Sequence, residues 1–126
     1  MMEPNILIVT DHASPRRAIG PLENHGWRIE SVPDCETAYQ RLLAERFIAV
    51  VIDLASKLDG IELIKQIRAT SEPWKTLVLV IGEWGTGQTT LALSQGADAC
   101  EAGSLDAAHL LDSVERLLQA HAAVLQ

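Results

Sequence analysis

Basic residues are the scarce class in this chain: ten Lys and Arg stand against seventeen Asp and Glu in 126 residues, a formal net charge of −7. That deficit excludes a nucleic-acid-binding surface, which needs Lys and Arg clustered to neutralise phosphates. An acidic surface favours cations or basic partners instead. Cysteine occurs only at Cys35 and Cys100, without CxxC or Cys/His spacing, which excludes a zinc cluster and fits reduced, cytosolic residence with two small buried thiols. No apolar run reaches membrane-spanning length, and Met1-Met2-Glu3-Pro4 leads straight into a strand rather than a signal peptide, so a soluble, cytoplasmic protein without a membrane partner is expected. Gly82 to Gly87 lacks the lysine of a phosphate-binding loop, and His25, His109 and His121 have no partners at ligand spacing. No repeat or low-complexity segment occurs. What is present is 48% hydrophobic residues, enough for the core of a single domain spanning 1–126.

Two apolar runs end on a carboxylate. Asn5 to Thr10 leads into Asp11, and the stretch from Phe47 through Ala49-Val50-Val51-Ile52 stops at Asp53. The near-continuous apolar character of the second run predicts a strand covered on both faces, as in a parallel sheet. Between these runs, Ser14-Pro15 signals a helix to about His25, with a kink expected at Pro21 and a stop at Gly26. Trp27 to Val32 reads as a second strand. Pro33-Asp34 then caps a helix to about Glu45, with Ala38, Leu42 and Leu43 on its inner face. Beyond the loop Ala55-Ser56-Lys57-Leu58, Asp59-Gly60 opens a helix carrying Ile61, Ile64 and Ile67 that ends before Pro73. Thr76 to Ile81 is a fourth strand, Gln88 to Gln95 a short helix, Ala97 to Ala102 a weak fifth strand, and Ser104 caps a last helix from Leu105 to about Ala123.

Strict β/α alternation over five units predicts an α/β doubly wound parallel sheet, flavodoxin-like, with strand order 2-1-3-4-5 and helices on both faces. Strands one and three are then neighbours at the switch point, where ligands bind beyond the carboxyl ends of the strands. Asp11 and Asp53 both belong there.

The segments Ile6-Leu7-Ile8-Val9-Thr10-Asp11-His12, Val50-Val51-Ile52-Asp53-Leu54, Asp59-Gly60-Ile61-Glu62-Leu63 and Gln95-Gly96-Ala97-Asp98-Ala99 together resemble the receiver domains of bacterial response regulators over essentially the whole chain. The resemblance implies two-component, or phosphorelay, signalling, in which a carboxylate accepts a phosphoryl group while Mg²⁺ neutralises the oxygens. It makes Asp53 the phosphoacceptor and assigns Mg²⁺ to Asp11, Asp53 and the backbone carbonyl of Ala55. Its implied partners are a histidine kinase or a downstream effector, and it implies no enzyme activity beyond self-phosphorylation of Asp53 from a donor.

Four family positions depart from the pattern. Thr10 replaces one metal-binding acid, Ile81 stands in place of a serine or threonine, Cys100 in place of the aromatic switch residue, and Gly103 in place of a lysine. Each charged hydrogen bond lost to the phosphoryl group is worth roughly 1.5 to 3 kcal/mol; Lys57 compensates only if its loop folds inward. A divergent receiver, a pseudo-receiver, is therefore expected, with weak or absent Mg²⁺ binding, impaired phosphorylation and output through protein binding. Two alternatives stay open: a functional Mg²⁺-dependent phosphoacceptor receiver, and a small metal-dependent enzyme or ligand-binding protein using the Asp11/Asp53 pocket with His12, whose imidazole suits zinc.

The last helix carries one apolar stripe at Ala107, Leu111, Val114, Leu118 and Leu125 and a second row at Leu110, Leu117 and Val124. Either both rows are buried at the sheet, or the second docks a partner helix or a second subunit in a homodimer. Trp84 is a contact residue or packs on its own loop. The final residues, Ala120 to Gln126, suit either a complete single-domain protein or a helical linker to something further.

Overall fold

The computed structural model describes residues 5–11, 23, 26–54, 57–70, 76–82, 85–102 and 107–125. In chain order these form β1 (Asn5–Thr10), β2 (Arg28–Val32), α1 (Cys35–Ala44), β3 (Ala49–Asp53), α2 (Lys57–Thr70), β4 (Leu77–Ile81), α3 (Thr86–Gln95), β5 (Ala99–Glu101) and α4 (Ala107–Leu125). The five strands make one sheet in the order β2-β1-β3-β4-β5, and every pairing is parallel. The expected flavodoxin-like order is the observed one. The helix expected from Ser14 to His25, with its kink at Pro21, lies outside the described residues.

Alternation along the strands divides the core between the two faces. Leu7, Val9, Val50, Ile52, Val78 and Val80 point to the face packed by Ala38 of α1, Leu63, Ile64 and Ile67 of α2 and Ala92 of α3. Ile6, Ile8, Ala49, Val51, Leu77, Leu79 and Ile81 point to the other, with Trp27 and Val114 of α4. Because β1, β3 and β4 are covered on both sides, their side chains are buried along nearly their whole length, which accounts for the continuous apolar runs.

Several expected boundaries move. Helix α2 begins at Lys57, ahead of Asp59-Gly60. Leu58 in its first turn is 78% exposed, so the apolar periodicity starts only at Ile61, one turn into the helix. Helix α3 begins at Thr86 rather than Gln88, its entry tied by the Gln88 side-chain oxygen, which accepts from the Gly85 N–H at 3.1 Å. Strand β3 pairs from Ala49, not Phe47, and β5 is only Ala99–Glu101. Leu43, expected inside, is 62% exposed; it lies about 140° around the helix from Ala38, and Cys35, Tyr39 and Leu42 pack on the core in its stead.

A clasp at the amino ends of the strands holds α2 to the α3–β5 turn. The Arg68 guanidinium donates to the carbonyl oxygens of Gly96 at 2.8 Å and Thr76 at 2.6 Å and to Asp98 Oδ2 at 2.7 Å. Asp98 Oδ2 also accepts from the Val78 N–H at 2.8 Å. Gly96 has φ 123°, and a Cβ there would lie 2.5 Å from Arg68 Cγ. The glycine therefore serves both a left-handed turn and the close passage of the arginine.

Candidate functional site

At the carboxyl ends of the strands, β1 and β3 run in register so that Thr10 faces Asp53. Both are buried, at 3% and 7% exposure. The Thr10 hydroxyl donates to Asp53 Oδ2 at 3.4 Å. Ile52 pairs with Val80, so Asp53 and Ile81 follow that pair at the ends of their strands, and Ile81 in turn pairs with Glu101. By strand alternation Thr10, Asp53, Ile81 and Glu101 leave the sheet on the same face as Ile8, Val51, Leu79 and Ala99, the face packed by α4. A row of four thus crosses the sheet edge: hydroxyl, carboxylate, hydrocarbon, carboxylate. Asp11 follows Thr10 at the same end and is exposed.

The row has a polar half and an apolar step. Ile81 is fully buried, a hydrocarbon wall between Asp53 and Glu101. Glu101 is turned outward to Arg116 of α4, whose Nη2 donates to its Oε1 at 3.2 Å, while Arg116 Nε pairs with Asp112 at 3.1 Å. The Arg116 charge is thus engaged by Glu101 and Asp112.

No protein-family model matches the chain. Over 99 residues, 77% of its length, it is 30% identical to response regulator MprA of Mycolicibacterium vanbaalenii. It spans 42% of that relative's length, and thus less than half of the curated relatives it matches. Among solved structures it superposes on chemotaxis response regulator CheY4 of Vibrio cholerae with a TM-score of 0.80 at 22% identity, covering 91% of this chain and 98% of that one. A two-component response regulator from Clostridium difficile gives 0.79 at 23% identity, covering 93% and 97%. The chain carries a response-regulator receiver domain.

Within this receiver domain, the positions singled out from sequence fall into three groups. Thr10, Asp53 and Ile81 meet at one edge, with Asp11 beside them. Cys100 is half-buried on the opposite face of the sheet, packed against the cluster that holds Val80 and Ala97. Ala55, Gly103, Trp84 and His12 lie outside the described residues, as do the side chains of Lys57, Leu110 and Val124. Leu117 is half-buried and packs, with Leu111 and Leu118, on the domain's own core beside Val114.

The donor set at the edge consists of oxygens: two carboxylates and a hydroxyl. Such a set suits a hard cation that retains most of its waters, so the residues present fit Mg²⁺. Among the described residues no group of three or more His, Cys, Asp or Glu converges as a metal cluster. Burial disfavours the thiolate form of both cysteines. Burial, followed by Asp59 and Asp34, pushes the Cys35 thiol up to about 11, and its Sγ donates to the Asp59 carbonyl at 3.2 Å. Burial and then Glu101 raise that of Cys100.

Thr10, a lost charge in the sequence pattern, is in the fold a direct hydrogen-bond donor to Asp53. The signal was present in the equal lengths of apolar chain before Thr10 and Asp53, which put the two on one rung once β1 and β3 pair. The sequence does not show the Glu101–Arg116 pair or the Arg68 clasp. Nothing local marks either, because each joins elements that meet only in the fold.

Proposed function

We propose that this receiver domain is an atypical one, with impaired phosphoryl acceptance at Asp53 and output through binding another protein. The observation that carries the reading is Ile81, fully buried at the end of β4 beside the acceptor strand. For Asp53 to act, one carboxylate oxygen forms the new bond to phosphorus as the donor's oxygen or nitrogen leaves with its electron pair. Negative charge then spreads over the three equatorial oxygens. Those oxygens need donors, and a branched hydrocarbon supplies none. In acyl transfer, losing one donor to a developing oxyanion costs about 10² to 10³ in rate, and a loss in the same direction is expected here.

Other features support the same reading. Thr10 removes one negative charge from the cation pocket, and Gly103 stands where the resemblance puts a lysine. Receiver domains bind Mg²⁺ at their acidic pocket. Here Asp11 and Asp53 would hold the ion, which when bound supplies positive charge to the transferring oxygens. Receiver domains in general are not enzymes, and response regulators interact with histidine kinases and effectors. A kinase, an effector, or a second copy through the last helix is the proposed class of partner for this chain. No helix among the described residues is long and apolar enough to cross a membrane.

The test is an amide NMR titration with Mg²⁺ and then beryllofluoride, a phosphoryl mimic that requires a competent pocket, with Asp53→Asn as control. The proposal expects small shifts confined to Thr10, Asp11 and Asp53. Shifts that reach α3 and α4 and vanish in Asp53→Asn would establish a fully functional phosphoacceptor instead. The variant Ile81→Thr is expected to increase the beryllofluoride response.

A further inference from the structure

A buried carboxylate keeps its charge only where polar groups face it. Asp53 is 7% exposed, and facing it on the next strand is the hydroxyl of Thr10, itself 3% exposed. The pairing is built into the ladder, since Thr10 and Asp53 are partners in the β1/β3 register. An acid at position 10 would put a second carboxylate on that rung, and two carboxylates at this separation repel unless a cation lies between them. Threonine is neutral and donates.

We infer that Thr10 is a positioning residue for Asp53: its hydroxyl orders the carboxylate from within the chain, so that the strand ends hold their arrangement without a divalent cation. The inference rests on Asp53 being the functional carboxylate of the domain. Thr10 is then more than the absence of an acid. It exchanges a rung on which two carboxylates would repel for one that is neutral on one side and hydrogen-bonded. The cation's role is thereby narrowed to whatever it does for a transferring group.

The experiment uses the whole chain at neutral pH with three variants. Thr10→Val keeps the shape and removes the hydroxyl, Thr10→Ser keeps the hydroxyl, and Thr10→Asp introduces the second carboxylate. The first readout is the set of three-bond couplings that report the Asp53 χ1 rotamer in the absence of divalent ions. A single rotamer is expected in the parent and in Thr10→Ser, and averaged couplings in Thr10→Val. The second readout is the thermal midpoint with EDTA and with millimolar Mg²⁺. The parent is expected to move by about 1 °C or less and Thr10→Asp to gain about 5 °C or more from the ion. Unchanged couplings in Thr10→Val, or a parent that gains as much from Mg²⁺ as Thr10→Asp, overturns the inference. If Thr10→Asp does not fold without the ion, the Val and Ser pair decides. Neither readout involves a phosphoryl mimic or a partner, so failure here is distinguishable from failure of the proposed function.

Discussion

Two positions, one inside a helix and one in a turn, show how individual atoms set local stability. Ser113 is 4% exposed on the core-facing side of α4, and its Oγ is the buried side-chain oxygen without a hydrogen-bond partner among the described residues. Ser113→Ala removes that desolvated hydroxyl and improves helix propensity, so it is expected to stabilise the domain by about 1 kcal/mol in urea denaturation. Gly96 leads to the opposite expectation. Its φ of 123°, and the 2.5 Å that would separate an added Cβ from Arg68 Cγ, leave no room for a methyl group. The arginine cannot swing aside without giving up its bonds to Gly96, Thr76 and Asp98. Gly96→Ala is expected to cost about 2 to 4 kcal/mol, read as a lower urea midpoint with an unchanged slope.

Among the elements, α1 is the one whose start is most plainly written in the chain. Asp34 is its N-cap, and the Asp34 side chain accepts from the Thr37 N–H at 2.8 Å. That backbone bond holds the Asp34 carboxyl below the usual carboxylate range. A depressed folded pKa means the stabilisation is complete above the unfolded value and is lost as pH falls through the folded one. Thermal midpoints followed from neutral to acid pH are therefore expected to fall less steeply in Asp34→Ala than in the parent over the acidic end, while Asp34→Ala starts from a lower midpoint at neutral pH. The same helix is tied to the sheet by Arg41, which pairs with Glu30 of β2 and, at 3.0 Å, with Glu45. The Arg41 hydrogen bond, foremost, lowers the Glu30 carboxyl as well.

For the whole molecule, the dominant long-range term is the excess of acids. A net charge of −7 repels itself in the compact state, more strongly when few ions are present to screen it. Raising NaCl from about 10 mM to about 150 mM shortens the Debye length to about 8 Å, and the thermal midpoint is expected to rise across that interval. A fall would mean that attractive pairs such as Arg68–Asp98 outweigh the net repulsion. At this scale the arrangement of the site also follows from the topology: the order β2-β1-β3-β4-β5 makes β1 and β3 neighbours, and every strand delivers its last residue to the same edge.

The chain by itself determined the fold class, the strand order and the sheet edge to which Thr10-Asp11 and Asp53 are delivered, because parallel strands buried on both faces leave continuous apolar runs whose ends are visible in the sequence. Hydropathy pattern and turn residues are local quantities, and they are read without knowing what touches what. Helix onsets were less legible where a first-turn residue lies in solvent, as Leu58 does, or where an apolar residue falls off the core face, as at Leu43. Only the tertiary structure decided that Thr10 donates to Asp53, that Ile81 stands as a hydrocarbon between Asp53 and Glu101, and that Arg68 closes over Gly96. Each of those depends on strand register and on which side of a strand a residue leaves, and a shift of one residue would move every side chain of that strand to the other face.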